Sequence, residues 1–293
     1  MEGLRKRLIH LHSCRHMNWK RIHKLLELDR SLHDVYRYPK ALIKERLDLS
    51  EKRLDEMYDD LHRFDPDDVL SYYETEKITP ITIFDDAYPK LLKEIYDPPF
   101  VLYAKGNLSL LQNKKRLAVV GTRQPTPYGV KALAAIVPPL VDDGWVIVSG
   151  LAKGIDTYAH RAALQHRGKT IAVLGSGFHH PYPKENETLM QTMAHDQLLL
   201  TEYPPYVPPR KWHFPIRNRI ISGLSQAVLV VEAKEKSGSL ITADQALEQG
   251  RDVFAIPGSI FQAQSTGTNR LIQQGAKLVL SAEDIINECH LFF

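Results

Sequence analysis

From residue 114 onward the chain alternates short, continuous apolar runs with stretches of helix length, and this alternation limits the possible folds more than any other feature. The runs are Leu117 to Val120, Val146 to Val148, Ile171 to Leu174, Leu198 to Leu200, Val228 to Val231, Val253 to Ile256 and Leu278 to Leu280. Segments 128–143, 155–167 and 239–249 between them have helical length and composition. Runs so uniformly apolar suit strands covered on both faces, and their alternation with helices predicts an α/β fold with a mainly parallel, doubly wound sheet. A ligand of such a sheet sits beyond the carboxyl ends of the strands.

The 293 residues suffice for about two domains. Residues 1–75 lack glycine after Gly3 and place Ile22, Leu25 and Leu26, then Leu47, Leu54, Met57 and Leu61, at helical spacing, which predicts a small helical domain. Its charge is uneven. Residues 1–25 hold seven Lys/Arg against Glu2 alone, and residues 48–76 hold eleven Asp/Glu against three Lys/Arg. These are either two solvated faces that partly pair with each other or an interaction surface. Residues 78–113 contain two strand-like runs, Ile81 to Phe84 and Phe100 to Tyr103, expected to be edge strands of the domain that follows, so that 78–293 forms one α/β domain with its core at 114–293.

Cys14 and Cys289 form no C-x-x-C pair, so neither a disulfide framework nor a cysteine zinc site is expected, and a reducing cytosol fits. The basic start, interrupted by His10, His12 and His16, is not a secretory signal, and no run of apolar residues is long enough to span a membrane. A net charge of +3 only mildly favours an anionic partner, so the placement of charge carries the argument.

The ends of the predicted strands are where glycine and cations gather. The first strand runs into Gly121-Thr122-Arg123, with Thr126-Pro127 as N-cap and first helical position. A glycine there admits a phosphate to helix N–H groups and Arg123 supplies charge, although a simple tight turn is the alternative. The dinucleotide spacing G-x-G-x-x-G is missing, which excludes an NAD-dependent oxidoreductase. The second strand ends in Ser149-Gly150-Leu151-Ala152-Lys153-Gly154, the third in Gly175-Ser176-Gly177 with Lys184 beyond, and the fifth leads to Lys236-Ser237-Gly238-Ser239. Asp156 and His160 share a helix face, and a structural role is favoured over an acid/base dyad because no nucleophile accompanies them. His179-His180 lacks the further ligands a metal needs.

Residues 203–219 contain Arg210, Lys211, Arg217 and Arg219, five prolines, Tyr203, Tyr206, Trp212 and Phe214, and no acidic residue. Cations can track a sugar–phosphate backbone while aromatic faces stack on bases. The alternative is a proline-stiffened loop whose aromatics pack on the sheet.

Taken in order, several segments resemble the DNA-processing protein A (DprA, or Smf) family of bacteria. They are Phe84-Asp85-Asp86-Ala87-Tyr88-Pro89, Leu102-Tyr103-Ala104-Lys105-Gly106-Asn107, Val120 to Arg123, Ser149 to Asp156 with Ala159-His160, Gly175 to Gly177, and Tyr182-Pro183. Phe214 to Ser222, Val231-Glu232-Ala233, Ser237 to Ala243 and Ile256-Pro257-Gly258 continue the series. The resemblance implies an extended Rossmann domain preceded by a small all-helical SAM-like domain. It implies a cytoplasmic, non-catalytic protein that binds single-stranded DNA, protects it during natural transformation and helps load the RecA recombinase, with no cofactor. Arg123 matches a DNA-contacting arginine of the family. The phosphate-binding set expected on these grounds is Gly121, Thr122, Arg123, Ser149, Gly150, Lys153, Gly154, Gly175, Lys184, Arg217, Asn218, Arg219, Lys236, Ser237, Gly238 and Ser239. Residues 269–280, with Asn269, Ile272 and Leu278, resemble the segment through which members form homodimers.

Two departures stand out. Pro138-Pro139 should kink or end the first Rossmann helix, and no winged-helix domain is expected after Ile285-Ile286. The rival function is a Rossmann-type nucleotide N-glycosidase, but Lys236 to Ala243 lacks the paired glycines and the glutamate of that group's motif.

Overall fold

The computed structural model describes residues 2–289, and its chain divides into two compact units. The first comprises the chain up to Tyr88 together with Asp97–Ala104, and the second Pro89–Tyr96 together with the chain from Lys105 on.

In the first unit, helices α1 (Glu2–Ser13), α2 (Trp19–Leu28), α3 (Lys40–Leu47), α4 (Glu51–Arg63) and α5 (Pro66–Thr75) precede strand β1 (Thr79–Thr82), which pairs antiparallel with β2 (Val101–Gly106). Helix starts follow capping chemistry. The side chain of Asn18 accepts from Arg21 N ahead of α2, and that of Asp65 accepts from Asp67 N ahead of α5, with Pro66 in the first turn. Leu54, Met57 and Leu61 form the buried stripe of α4. The two charged faces pair, Lys6 with Asp67 at 2.7 Å, Arg15 with Asp60 at 2.8 Å and His16 with Glu56 at 2.5 Å, while Arg5 pairs with Asp85 at 3.0 Å beyond them. Up to Thr75 every regular element is helical, and strands β1 and β2 fall in the same compact unit as far as Ala104. The reason is packing. The Tyr103 ring lies 5.2 Å from that of Tyr73 and its hydroxyl meets His12 Nδ1 at 3.0 Å, which ties β2 to the helices.

In the second unit, a short α6 (Lys90–Lys93) comes before the parallel strands β3 (Arg116–Val120), β4 (Val146–Ser149), β5 (Lys169–Leu174), β6 (Leu198–Thr201), β7 (Ala227–Val230), β8 (Asp252–Ala255) and β9 (Lys277–Leu278). They lie in the order β6-β5-β4-β3-β7-β8-β9. The chain builds outward from β3 to β6 and then returns to lay β7 against the other side of β3, so the winding reverses between β3 and β7. A doubly wound sheet opens a crevice at that point, beyond its carboxyl edge.

Helices α7 (Pro127–Asp142), α8 (Ile155–Gln165), α9 (Glu187–Asp196), α10 (His213–Gly223), α11 (Gly238–Glu248), α12 (Thr266–Gln273) and α13 (Ala282–Cys289) complete the unit. Leu133, Ile136 and Leu140 of α7, Ile155 and Ala159 of α8 and Ile285 of α13 close over Leu117, Ile147 and Leu229 on one face. Each such fully buried aliphatic side chain contributes about 1.5–3 kcal/mol. Among the described residues no helix is long and apolar enough to cross a membrane.

Of the two outcomes expected for Pro138-Pro139, a kink or an end, the end is corrected: the helix runs through both to Asp142. Two prolines remove the donors for the carbonyls of Ala134 and Ala135, but both residues lie on the exposed face, where solvent replaces those donors. The break also falls in the last turns, so few bonds are lost.

Two histidines couple stability to pH. Burial pushes His12 down to about 4 and His160 down to about 3. Both are neutral when folded but take up a proton in the unfolded chain below about 6.5. Their contribution is complete above that value and is lost as pH falls from about 6.5 toward 4, each at about 1.4 kcal/mol per pH unit. Urea midpoints measured from pH 7 to pH 5 should therefore fall, and His160→Gln should flatten the slope. A slope unchanged in that variant would refute the assignment for His160.

Candidate nucleic-acid interface

The turn after β3 is built by backbone contact with the segments after β7 and β4. Thr122 N donates to Glu232 O at 2.7 Å, and Thr122 O accepts from Ile155 N at 3.1 Å. Gly154 has φ +78 and sits so close that a Cβ there would lie 2.4 Å from Thr122 O, and a Cβ on Gly121 would lie 2.6 Å from a side-chain carbon of Ile155. Only glycine satisfies both demands. The locked turn leaves Arg123 exposed, without an ion pair among the described residues, its guanidinium 5.9 Å from the centre of the Phe214 ring. Phe214 in turn lies over Gly175, where a Cβ would meet the ring at 2.8 Å, and packs against Tyr182 at 5.2 Å. Arg123, Gly175 and Phe214, distant in sequence, thus meet at the carboxyl edge, and Lys184 stands exposed two residues after Tyr182.

Residues 203–219 divide between the two readings. Tyr203 stacks on His213 at 4.0 Å and is taken into the packing, whereas Trp212 is 57% exposed with Arg210 5.3 Å over its ring.

Several expected phosphate ligands are committed elsewhere, and these are corrections. Arg217 is buried: its Nη1 donates to Gly150 O at 2.6 Å and to Val173 O, so it closes strand-end carbonyls instead of facing solvent. Burial lowers it to about 10, which still leaves it charged at neutral pH. Arg219 is buried against Glu202 at 2.8 Å. Both lie on α10, which packs on the sheet and on α11, and both fall at covered positions of it. Ser149 Oγ donates to Val119 O at 2.6 Å and is fully buried. The Gly150 and Ala152 amides, which could have met a phosphate, donate to Asp156 Oδ2 at 3.1 and 3.3 Å. The protein's own carboxylate occupies that cradle. Burial pushes Asp156 up, against the pull of Arg217 and of these amides.

Other candidates are only partly available. Lys153 is exposed but paired with Glu185 at 2.5 Å. Asn218 is half-buried and donates to Gly238 O at 3.3 Å. Ser237 caps α11, its Oγ 2.8 Å from that of Ser239, while Lys236 is exposed and Gly238 faces open space.

Asp156 and His160 do not form a dyad: His160 Nδ1 meets Thr170 Oγ1 at 2.7 Å, and that hydroxyl donates to Ile147 O. Glu232, also buried at this edge, accepts from Thr126 N and Oγ1 at 2.9 and 2.6 Å. His180 Nε2 lies 3.0 Å from Tyr206 O. In the segment expected to dimerise, Asn269 holds Gly258 through two hydrogen bonds, Ile272 is half-buried and Leu278 is 45% exposed. Sequence reasoning passed over Tyr182 as a site residue, and its place before Pro183, next to Lys184, was the available signal.

Comparison with known proteins gives the family and the fold. DNA processing protein DprA of Bacillus subtilis is 54% identical over 220 residues, covering 75% of this chain and 74% of that protein. The Streptococcus pneumoniae protein of the same name is 52% identical over 225 residues, covering 77% and 79%. The X-ray structure of DprA from Streptococcus pneumoniae superposes with a TM-score of 0.82 over 97% of both chains at 42% identity. DNA processing protein A from Helicobacter pylori, which has a described single-stranded DNA binding mode, matches with a TM-score of 0.67 and 32% identity over 74% of this chain and 97% of its own. The profile of the DNA recombination-mediator protein A family matches residues 79–290, nearly all of the parallel-sheet unit and the strand pair before it, and this chain belongs to that family.

Proposed function

We propose that this protein binds single-stranded DNA along the carboxyl edge of its parallel sheet, without a catalytic step. The observation that carries the reading is Arg123, held outward at the point where the winding reverses and backed by the Phe214 ring. Lys184, Arg210, Lys211 and Lys236 are exposed along the same edge, and Trp212 and Phe214 offer faces to bases. Gly121, Thr122, Gly154, Gly175 and the Ser237-Gly238-Ser239 turn shape the backbone against which the strand lies, while Arg217 and Arg219 support it from below. The buried carboxylates Asp156, Glu202 and Glu232 at this edge are engaged by N–H and O–H donors, which speaks against the glycosidase alternative.

Phosphate neutralisation makes the binding salt-dependent. Four phosphates give a log–log slope of about −3, from about −0.7 per phosphate on a single strand. Because backbone and base faces carry the contact, oligo(dT) should bind more tightly than a duplex of equal length. A slope near zero in a salt titration by fluorescence anisotropy would remove the backbone mechanism.

The wider role proposed, on family membership, is cytoplasmic: protection of incoming DNA in natural transformation and loading of RecA by a homodimer. Partly exposed Ile272 and Leu278 support a self-complementary surface. Light scattering should return twice the chain mass, and RecA filaments should start faster on DNA carrying this protein. A monomer, or no acceleration, would count against these roles.

A further inference from the structure

At the end of β8 the chain makes a turn that displays apolar side chains to water. Gln262 N donates to Ser259 O at 3.0 Å and Phe261 N to Ser259 Oγ at 3.3 Å, closing the turn. Its base is fixed where Asn269 both accepts from Gly258 N at 3.1 Å and donates to Gly258 O at 2.9 Å. The tip of this hydrogen-bonded turn is Ile260, 82% exposed, and Phe261, 92% exposed. Two adjacent large apolar side chains held out by a fixed backbone mark an interaction site.

The surroundings indicate the partner. Tyr128, in the first turn of α7, exposes nearly half its surface and donates its hydroxyl to Pro257 O at 2.6 Å, which ties the Arg123 turn to this one. Lys131, one turn along α7, and Lys234 and Lys236 beyond β7 are exposed. Residues 253–282 contain no Asp or Glu; their cations Arg270 and Lys277 are paired, Arg270 with Glu235 at 2.9 Å and Lys277 with Asp252 and Glu288 at 3.0 and 2.5 Å, so Lys131, Lys234 and Lys236 supply the free charge among the described residues. The turn lies on the same carboxyl edge as Arg123, with β7 between β3 and β8. At about 4.8 Å per strand the separation is roughly 10 Å, a few nucleotides of an extended chain.

We infer that the Ser259–Gln262 turn is a second base-stacking platform for single-stranded nucleic acid, on the opposite side of Arg123 from Phe214. Phe261 and Tyr128 present their faces to bases, and Lys234 and Lys236 follow the backbone. The inference rests on the DNA-binding reading above and extends it: the strand crosses the whole edge of the sheet, so affinity grows with length beyond the segment at Arg123.

The test is anisotropy with oligo(dT) of about five and about twenty nucleotides on wild type, Phe261→Ala and Phe261→Tyr. Phe261 makes no packing contribution that folding needs, and circular dichroism checks this. Phe261→Ala should weaken the long oligonucleotide about tenfold and leave the short one unchanged, and Phe261→Tyr should restore it. Wild-type affinity of Phe261→Ala for both lengths overturns the inference while leaving the Arg123 site intact. Unchanged DNA affinity with a lower mass by light scattering would make the turn a protein contact and overturn it equally. A wild type that binds neither length sinks the underlying reading, and this one with it.

Discussion

Replacing Arg123 by glutamate should abolish most single-stranded DNA binding while leaving the fold intact. Arg123 is exposed and has no ion pair among the described residues, so its loss leaves no buried group stranded. A charge-assisted hydrogen bond to phosphate is worth about 2 kcal/mol, and alanine should therefore cost about thirtyfold in affinity. Glutamate adds repulsion of about 1 kcal/mol at 4 Å in water, for about a hundredfold in all. The expected order for oligo(dT) is wild type, then Arg123→Ala, then Arg123→Glu, with equal melting temperatures. A folded Arg123→Glu protein with wild-type affinity would refute the placement of the DNA.

The second large effect is on stability and concerns an arginine that the sequence presents in the same light. Arg219 and Glu202 pair at 2.8 Å with 6% and 10% of their side chains exposed. Arg219→Ala leaves the Glu202 carboxylate buried without its cation, at a cost of about 3–5 kcal/mol. For a unit of this size that lowers the melting temperature by about 10 °C. Replacing both together, Glu202→Leu with Arg219→Met, should recover most of the loss, because no charge then remains to be solvated. Arg219→Ala with an unchanged melting temperature but weakened DNA binding would return Arg219 to the interface.

The contrast between Arg123 and Arg219 shows how far residue type reaches. Both follow glycine- or proline-rich segments and both are basic in a region poor in acid. Arg123 comes three residues after a strand, on a turn that glycines hold against its neighbour, and emerges into solvent. Arg217 and Arg219 lie at covered positions of a helix packed on the sheet and on α11, where strand-end carbonyls and Glu202 take up their donors. Nothing within residues 203–219 reports that Glu202 or Val173 O will be the partner, since sequence distance says nothing about which strand ends lie side by side. The same holds for Gly150 and Ala152, whose amides are occupied by Asp156, four to six residues away, once α8 begins.

Apolar runs could be read along the chain because such strands are set by local composition: all seven from 114 onward contribute a parallel strand, although the last, β9, leaves Leu278 exposed. Turn chemistry was equally local: Thr126-Pro127 opens α7 and Ser237 opens α11 as their types require. Burial of charge is a property of assembled layers. Whether an arginine meets phosphate or carbonyl, and whether two prolines break a helix or leave their freed carbonyls to solvent, depend on surfaces contributed by distant segments. Local sequence constrains each element's type. The free energy of placing a polar group depends on what surrounds it after folding.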